Sequence, residues 1–229
     1  MHVMICAEGK TDVGAQRVWD PRRKVIVNSE GWMQPIIRSI TGNADINFEV
    51  KFRAELTLFE PFKKFPGGVY GHGQKAFVAK AAAAREGCNY LIYMVDADDT
   101  SPQRHNDIAG EILSGFGALK KPEVGCVACI PVSASEAWML ADKEAWRKLT
   151  GHEVANLPGK PEELWGEKRD PSSNRPHNIF ARICAQEELA DSSETRSLLA
   201  AHIDPGTLRR SCPASFTHFA DMLLKPHKS

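Results

Sequence analysis

The strongest constraint on the fold is a repeated pairing of a short apolar run with an acidic motif. Residues 3–6 lead into Glu8, and residues 90–95 lead into Asp96 and Asp98. Runs this apolar are typical of strands that are buried on both faces of a parallel sheet. Because ligand sites in such sheets lie beyond the carboxyl ends of the strands, we expect Glu8, Asp96 and Asp98 to meet there.

Carboxylates that meet at one place need a counter-charge, because they otherwise raise one another's pKa. Oxygen ligands without supporting His or Cys suit Mg²⁺ or Mn²⁺ better than zinc. Two further acids follow apolar runs: Asp12 lies four residues after Glu8, and Glu136 follows the run 124–132. Each is also explained by a structural role at the start of a helix. The predicted metal ligands are Glu8, Asp12, Asp96, Asp98 and Glu136.

Apolar runs and helical patterns alternate along the first 150 residues. Strands are predicted at 2–7, 46–53, 89–95 and 124–132, and helices at 30–41, 74–86, 103–120 and 135–149. This alternation predicts right-handed crossovers and an α/β fold, with a mainly parallel four-stranded sheet flanked by helices.

The composition changes after Gly151, where Pro and Gly become frequent and helical stretches are short. Helices are predicted near 177–188, 193–202 and 214–224, with a turn at 204–206. The sequence therefore predicts an α/β domain over residues 1–150 and a helical C-terminal extension over residues 151–229 that packs on it.

The composition of the chain limits which partners and which cellular compartment are expected. Lys plus Arg and Asp plus Glu number 29 each, so the chain lacks the basic excess that drives strong non-specific binding to nucleic acid. Any nucleic-acid contact must be local or metal-mediated. No apolar run approaches the roughly 20 residues of a membrane span, so no membrane contact is expected. Six cysteines without a framework spacing, and no signal peptide before the first strand, predict a cytoplasmic protein.

The order of the acidic motifs resembles the TOPRIM domain of topoisomerases, primases and nucleases. The motifs are Glu-Gly-Lys-Thr-Asp at 8–12 and Asp-Ala-Asp at 96–98, and Ser-Glu-Ala-Trp-Met-Leu-Ala-Asp at 135–142 is similar to small stand-alone TOPRIM-like proteins. Some of those bacterial proteins are linked to phage defence beside ATPases. The resemblance covers roughly residues 1–150, and residues 161–185 more weakly.

The TOPRIM resemblance implies a Rossmann-like parallel sheet and roles for individual acids. Glu8 would be the general acid/base or a metal ligand, and Asp96 and Asp98 would hold Mg²⁺. Asp12 would help to bind a second metal. The chain lacks a tyrosine placed as a strand-passage nucleophile and a primase zinc module, which disfavours topoisomerase and primase activity.

The favoured chemistry is metal-dependent hydrolysis of phosphodiester bonds in DNA or RNA, with a water activated near Glu8. A cation must stabilise the pentavalent state, and Lys168, Arg169 or Arg175 is expected to do so. The predicted catalytic residues are Glu8, Asp96, Asp98 and Lys168, and the predicted substrate contacts are Lys10, Lys75, Arg169 and Arg175. The resemblance adds a role in antiviral defence and a possible ATPase partner.

Two alternatives stay open. The segment 95–100 also satisfies the D-x-D-x-T signature of haloacid-dehalogenase phosphatases, with Asp96 as nucleophile and Asp98 as acid/base. That interpretation leaves Glu8 and Asp12 unexplained. The second alternative is a non-catalytic TOPRIM-like subunit that docks to an ATPase.

Overall fold

The computed structural model describes residues 1–20, 25–58, 63–120 and 123–225, and the side chains of these except 15–28. Up to the last strand the elements are β1 (His2–Ala7), α1 (Lys10–Val13), β2 (Ala15–Asp20), β3 (Val25–Ser29), α2 (Met33–Thr41), β4 (Asn47–Phe52), α3 (His72–Arg85), β5 (Tyr90–Met94), α4 (Pro102–Ala118) and β6 (Gly125–Cys129). They are followed by α5 (Glu136–Leu140), α6 (Lys143–Thr150), α7 (Pro176–Gln186), α8 (Ser193–His202), α9 (Pro205–Ser211) and α10 (Phe216–Leu224). Short 3-10 turns cover Arg53–Glu55 and Pro161–Glu163.

The central sheet has the order β4-β1-β5-β6, and every neighbouring pair is parallel. This confirms the predicted α/β class with a parallel four-stranded sheet flanked by helices. β1 lies between two strands, and its residues Val3 to Ala7 have no exposed surface, as expected for a strand covered on both faces. The antiparallel pair β2–β3 forms a separate two-stranded sheet that no pattern in the sequence predicts.

Side chains of each strand alternate between two apolar cores. On one face, which we call the α3/α4 face, Met4 and Cys6 of β1 pack with α3 and α4. On the other, the C-terminal face, Val3 and Ile5 pack with α2 and with helices that follow β6. β5 divides in the same way, because Tyr93 lies on the α3/α4 face and Met94 on the C-terminal face.

Two predicted elements are wrong, and an aspartate accounts for each. The helix predicted at 135–149 is two helices, because Asp142 Oδ1 accepts from the N–H groups of Glu144 and Ala145 (3.0 and 3.1 Å) and caps a new start at α6. The turn predicted at 204–206 instead begins α9, where the Asp204 carboxylate accepts from Thr207 N–H at 2.7 Å.

The helices after residue 150 complete the core on the C-terminal face. The Trp138 ring meets Phe216 edge-on with 5.0 Å between centroids, and meets Trp32 edge-on at 5.6 Å. Trp138 Nε1 donates to Ser215 Oγ at 2.8 Å. Residues on both sides of position 150 therefore share one core. Within the described ranges, no helix is both long and apolar enough to cross a membrane.

Candidate functional site

Four carboxylates lie together where β1, β5 and β6 end, and we call them the acidic cluster: Asp12, Asp96, Asp98 and Glu136. Asp12 belongs to α1, which directly follows β1. Asp96 continues the alternation of β5 onto the C-terminal face, two residues after Met94. Glu136 is the first residue of α5. Four of the five predicted metal ligands thus share one electrostatic environment.

Asp12 is buried and held by three donors. Its Oδ1 accepts from Trp32 Nε1 at 2.9 Å and from Ser135 Oγ at 3.4 Å, and its Oδ2 accepts from Gly9 N–H at 3.3 Å. The last contact makes Asp12 part of the start of α1, so its structural role and its place in the cluster coexist. Burial raises the pKa of Asp12 to about 6, although the hydrogen bond from Trp32 opposes this shift.

Asp96 is half-buried, and its Oδ1 is enclosed without a hydrogen-bond partner among the described residues. Loss of hydration raises its pKa well above the usual range, and the charges of Glu136, Asp12 and Asp98 raise it further. The backbone N–H of Ser135 opposes the shift by donating to the carboxylate. An enclosed carboxylate oxygen without a donor costs about 1–3 kcal/mol, so this position favours a cation.

Glu136 already has partners that offset its negative charge. Its Oε1 accepts from Arg196 Nη1 at 2.8 Å and from His177 Nδ1 at 3.0 Å. Burial alone would raise the pKa of Glu136, but the hydrogen bond from His177 and the charge of Arg196 lower it to about 2. Arg196 also binds Asp191, with 2.8 Å between Nε and Oδ1. Glu136 is therefore an ionised carboxylate whose Oε1 is engaged by two donors.

Asp98 is exposed and accepts from Arg175 Nη2. Arg175 itself is buried, and its guanidinium lies 5.0 Å from the centroid of the Trp165 ring. Asp98 has a left-handed backbone (φ 51°), as does Ser133 (φ 62°), whose N–H donates to Asp99 O at 3.1 Å. Two strained non-glycine residues in adjoining loops are typical of a functional site.

Glu8 lies at the same sheet edge but on the α3/α4 face. Its side chain is 75% exposed, and Oε2 accepts from Arg53 Nη1 at 3.1 Å. Alternation explains the position, because Glu8 follows Met4 and Cys6 on that face. Among the described residues, no hydrogen bond or ion pair joins Glu8 to the acidic cluster.

We call Glu8, Arg53, His72 and Tyr93 the Arg53 cluster. The Arg53 guanidinium carbon lies 5.8 Å from the centroid of the Tyr93 ring, and its charge acts on His72. Burial raises the pKa of Tyr93 to about 12, and the charge and close approach of the Arg53 guanidinium oppose this shift. Three enclosed atoms here lack a partner among the described residues: Arg53 Nε, His72 Nδ1 and the Tyr93 hydroxyl oxygen.

The predicted cationic residues separate into two groups. Arg175 contacts the acidic cluster directly through Asp98. Lys10, Lys168 and Arg169 are exposed, and Lys75 donates from Nζ to Leu56 O at 3.0 Å. Across the described residues, no group of three or more His, Cys, Asp or Glu side chains is arranged to hold a metal ion.

Arg196 and His177 are the site residues that no sequence motif identified. The sequence does carry one signal for Arg196, because Leu199, Ala200 and Ile203 follow it at helical spacing. A charged residue on an apolar helix face indicates a buried partner. His177 carries no comparable signal, since it is nearly half-exposed and directly follows the proline that begins α7.

A cavity of about 670 Å³ opens beside the loop that leaves the acidic cluster, and none of the four acids lines it. Its polar lining includes Thr100, Ser101, His105, Asn106, Lys160 and Arg210. Comparison of the chain with protein-family models, curated proteins and solved structures found no match. The TOPRIM-like resemblance therefore depends on the sequence motifs alone.

Proposed function

We propose that this protein is a divalent-metal-dependent nuclease that hydrolyses phosphodiester bonds in DNA or RNA. The observation that carries the proposal is the enclosed Oδ1 of Asp96, which has no partner among the described residues and lies among three further carboxylates at the carboxyl edge of a parallel sheet. Such an arrangement is costly for packing alone, and strongly perturbed acids are typical of functional sites.

The donor types, although not the arrangement of the described side chains, suit a hard divalent cation. Asp12, Asp96 and Asp98 offer carboxylate oxygens, with no Cys or His required, which suits Mg²⁺ or Mn²⁺. Glu136 keeps its bonds to Arg196 and His177 and adds negative charge nearby. When bound, the cation supplies a Lewis acid that polarises a phosphoryl oxygen and offsets the charge of the acids.

Two residues are assigned to phosphate binding and to proton transfer. Arg175 is buried, stacked on Trp165 and paired with Asp98, so its guanidinium is oriented beside the cluster and can donate to a phosphate oxygen. Glu8 is assigned as the general base because its carboxylate is exposed at the same sheet edge, although on the opposite face, and it must leave Arg53 to accept a proton from water. Exposed Lys168 and Arg169 contact neighbouring phosphates of the strand.

The motif resemblance supports two broader parts of the proposal. Stand-alone TOPRIM-like proteins are linked to phage defence, so we place this nuclease in antiviral defence with an ATPase as a possible partner. The near-equal numbers of acidic and basic residues agree with substrate binding through local contacts and a metal. The 670 Å³ cavity beside the loop after Asp99 offers room for part of a nucleic-acid strand.

The phosphatase alternative has less support from the geometry. A nucleophilic Asp96 must be ionised and reach a phosphorus atom, whereas one of its oxygens is enclosed and its pKa is raised well above the usual range. The nuclease assignment instead uses Asp96 as a ligand to a cation that offsets its charge.

A cleavage assay tests the proposal. Purified protein is incubated with single- and double-stranded DNA and RNA in Mg²⁺, Mn²⁺ or EDTA. We expect cleavage only with the metal, and we expect Asp96→Asn to lower the rate by at least about 100-fold. Asp45→Asn is the matched control, because Asp45 is exposed and lies outside the cluster. Cleavage in EDTA, or full activity of Asp96→Asn, would contradict the proposal.

A further inference from the structure

The Arg53 cluster contains three enclosed polar atoms for which the described residues supply no partner: Arg53 Nε, His72 Nδ1 and the Tyr93 hydroxyl. Tyr93 has no exposed surface at all. Enclosed polar groups of this kind cost about 1–3 kcal/mol each when nothing bonds to them. Three of them around one guanidinium indicate an occupant that supplies the missing partners.

The chemistry of the three atoms defines that occupant. The Nε–H of arginine only donates, a tyrosine hydroxyl can donate, and Nδ1 of a neutral histidine donates in one of its two tautomers. One water molecule accepts only two hydrogen bonds, so it satisfies the three atoms only when His72 Nδ1 or the Tyr93 oxygen accepts from it, and not when all three donate. A tetrahedral oxyanion accepts all three, and the arginine fork matches its geometry.

Residues around the Arg53 cluster add positive charge, and the nearby glutamates already accept hydrogen bonds from backbone N–H groups. Lys75 and Arg104 both lie close enough to act on residues of this region. Glu111 Oε2 accepts from the backbone N–H of His72 at 2.8 Å, and Glu55 Oε2 accepts from the N–H of Phe52 at 3.4 Å. Glu8 is the one acid of the Arg53 cluster, and its exposed side chain can leave Arg53.

We propose that the Arg53 cluster binds a phosphate group, to which Arg53, His72 and Tyr93 donate, and that the phosphate takes the place of the Glu8 carboxylate on Arg53. Entry is from the solvent side, where Glu8 is 75% and Arg53 19% exposed. Binding releases Glu8 for proton transfer. The identity of the molecule that carries the phosphate rests on the proposed nuclease function, but the binding itself requires no metal.

Thermal unfolding of the full chain in EDTA tests the site. Inorganic phosphate is titrated at constant ionic strength, with chloride as the reference anion. We expect a saturable rise in Tm for the unsubstituted protein and for Tyr70→Phe, whose side chain is exposed. The rise should disappear in Tyr93→Phe and in Arg53→Gln, with phosphate affinity at least tenfold lower by calorimetry.

Tyr93→Phe also separates ligand binding from a folding defect. Without phosphate this variant should be at least as stable as the unsubstituted protein, because the change removes an enclosed hydroxyl for which the described residues supply no hydrogen bond of good geometry. The proposal is overturned if phosphate gives no saturable rise in Tm, if chloride gives the same rise, or if Tyr93→Phe keeps it.

Oligonucleotides with and without a 5′-phosphate identify the source of the phosphate. Tighter binding of the phosphorylated strand assigns the site to a nucleic-acid end, and equal binding, with inorganic phosphate still bound, assigns it to a free phosphate compound. Both outcomes support the phosphate site. If phosphate binds but no nucleic acid is cleaved in the presence of metal, the nuclease proposal fails and this inference stands.

Discussion

The acidic cluster and the Arg53 cluster lie at the same edge of one sheet, but they lack opposite kinds of hydrogen-bond partner. Among the described residues, a carboxylate oxygen of Asp96 lacks a donor in the acidic cluster, whereas three atoms that can donate lack a partner in the Arg53 cluster. Consecutive residues of a strand point to opposite faces, so a strand edge can separate acids from cations over a few residues. The proposed cation and the proposed phosphate therefore concern clusters on opposite faces of the sheet.

The largest expected effect is on the acidic cluster, through Arg196. Arg196→Ala removes a buried charge partner of Glu136 and should lower the free energy of unfolding by about 3–5 kcal/mol. Urea denaturation at pH 7 measures this.

Arg209→Ala is the matched control for Arg196→Ala, because Arg209 forms an exposed pair with Asp221 (2.7 Å). It should cost no more than about 1 kcal/mol. Equal losses for the two variants would show that Glu136 does not depend on its buried pair.

The next largest effect is expected from Asp12, whose protonation should make the stability of the fold depend on pH. Burial raises the pKa of Asp12 in the folded protein to about 6 from an ordinary value of 3.8, so the folded state binds this proton more tightly. The stabilisation is complete below pH ~4 and is lost as pH rises to ~6, by on the order of 3 kcal/mol.

Asp12→Asn removes that dependence and keeps an acceptor for Trp32. In EDTA, the variant should therefore gain stability over the unsubstituted protein as the pH rises from 4 to 7, as measured by urea unfolding. Asp45→Asn should show no such gain. A difference between Asp12→Asn and the unsubstituted protein that stays constant with pH would contradict the assigned shift.

Glu8 offers a functional comparison of the two clusters. Glu8→Gln should lower nuclease turnover by about 100-fold, the scale of a lost general acid/base. Stability should change by less than about 1 kcal/mol, because the pair with Arg53 is exposed on the Glu8 side. Glu86→Gln, in an exposed pair with Arg85 (3.4 Å), is the control. Retained turnover in Glu8→Gln, with loss in Asp96→Asn and a phosphoryl group trapped on Asp96, would favour the phosphatase.

The smallest expected effects lie outside both clusters, at Lys168 and Arg169. Both side chains are exposed, so alanine at either position should change stability by no more than about 0.5 kcal/mol. Each should weaken nucleic-acid binding and lower the salt slope of log K by about one. Binding measured across a salt series checks this, with exposed Lys148→Ala as control. An unchanged slope would show that neither residue contacts a phosphate of the nucleic acid.

The sequence predicts the parallel sheet well because its strands are short, apolar and separated by helices. It also places acids at the correct edge. It does not tell which face each acid occupies, because the face depends on the register between β1 and β5. The observed pairing of Cys6 with Tyr93, continued by two residues, aligns Glu8 with Val95 and not with Asp96. Glu8 and Asp96 therefore point to opposite faces.

The partners of Glu136 could not be predicted, for a different reason. Arg196 lies 60 residues further along the chain, in a helical region whose arrangement depends on packing rather than on local pattern. Likewise, the sequence predicts one continuous helix through Asp142, whereas the Asp142 side chain caps the start of a new one. A short polar residue inside a helical pattern can either continue the helix or cap the start of a new one, and the pattern of apolar residues does not distinguish these cases.

Trp138 has a consequence for how the protein is made. Its ring packs against Phe216, so the last part of the core arrives about 80 residues after Trp138 has been synthesised. At typical rates of about 5–20 residues per second, this delay lasts about 4–16 s on the ribosome. The sheet can begin to form during that interval while its C-terminal face stays open to water. Newly made chains are therefore most exposed to aggregation, and most in need of a chaperone, before Phe216 is added.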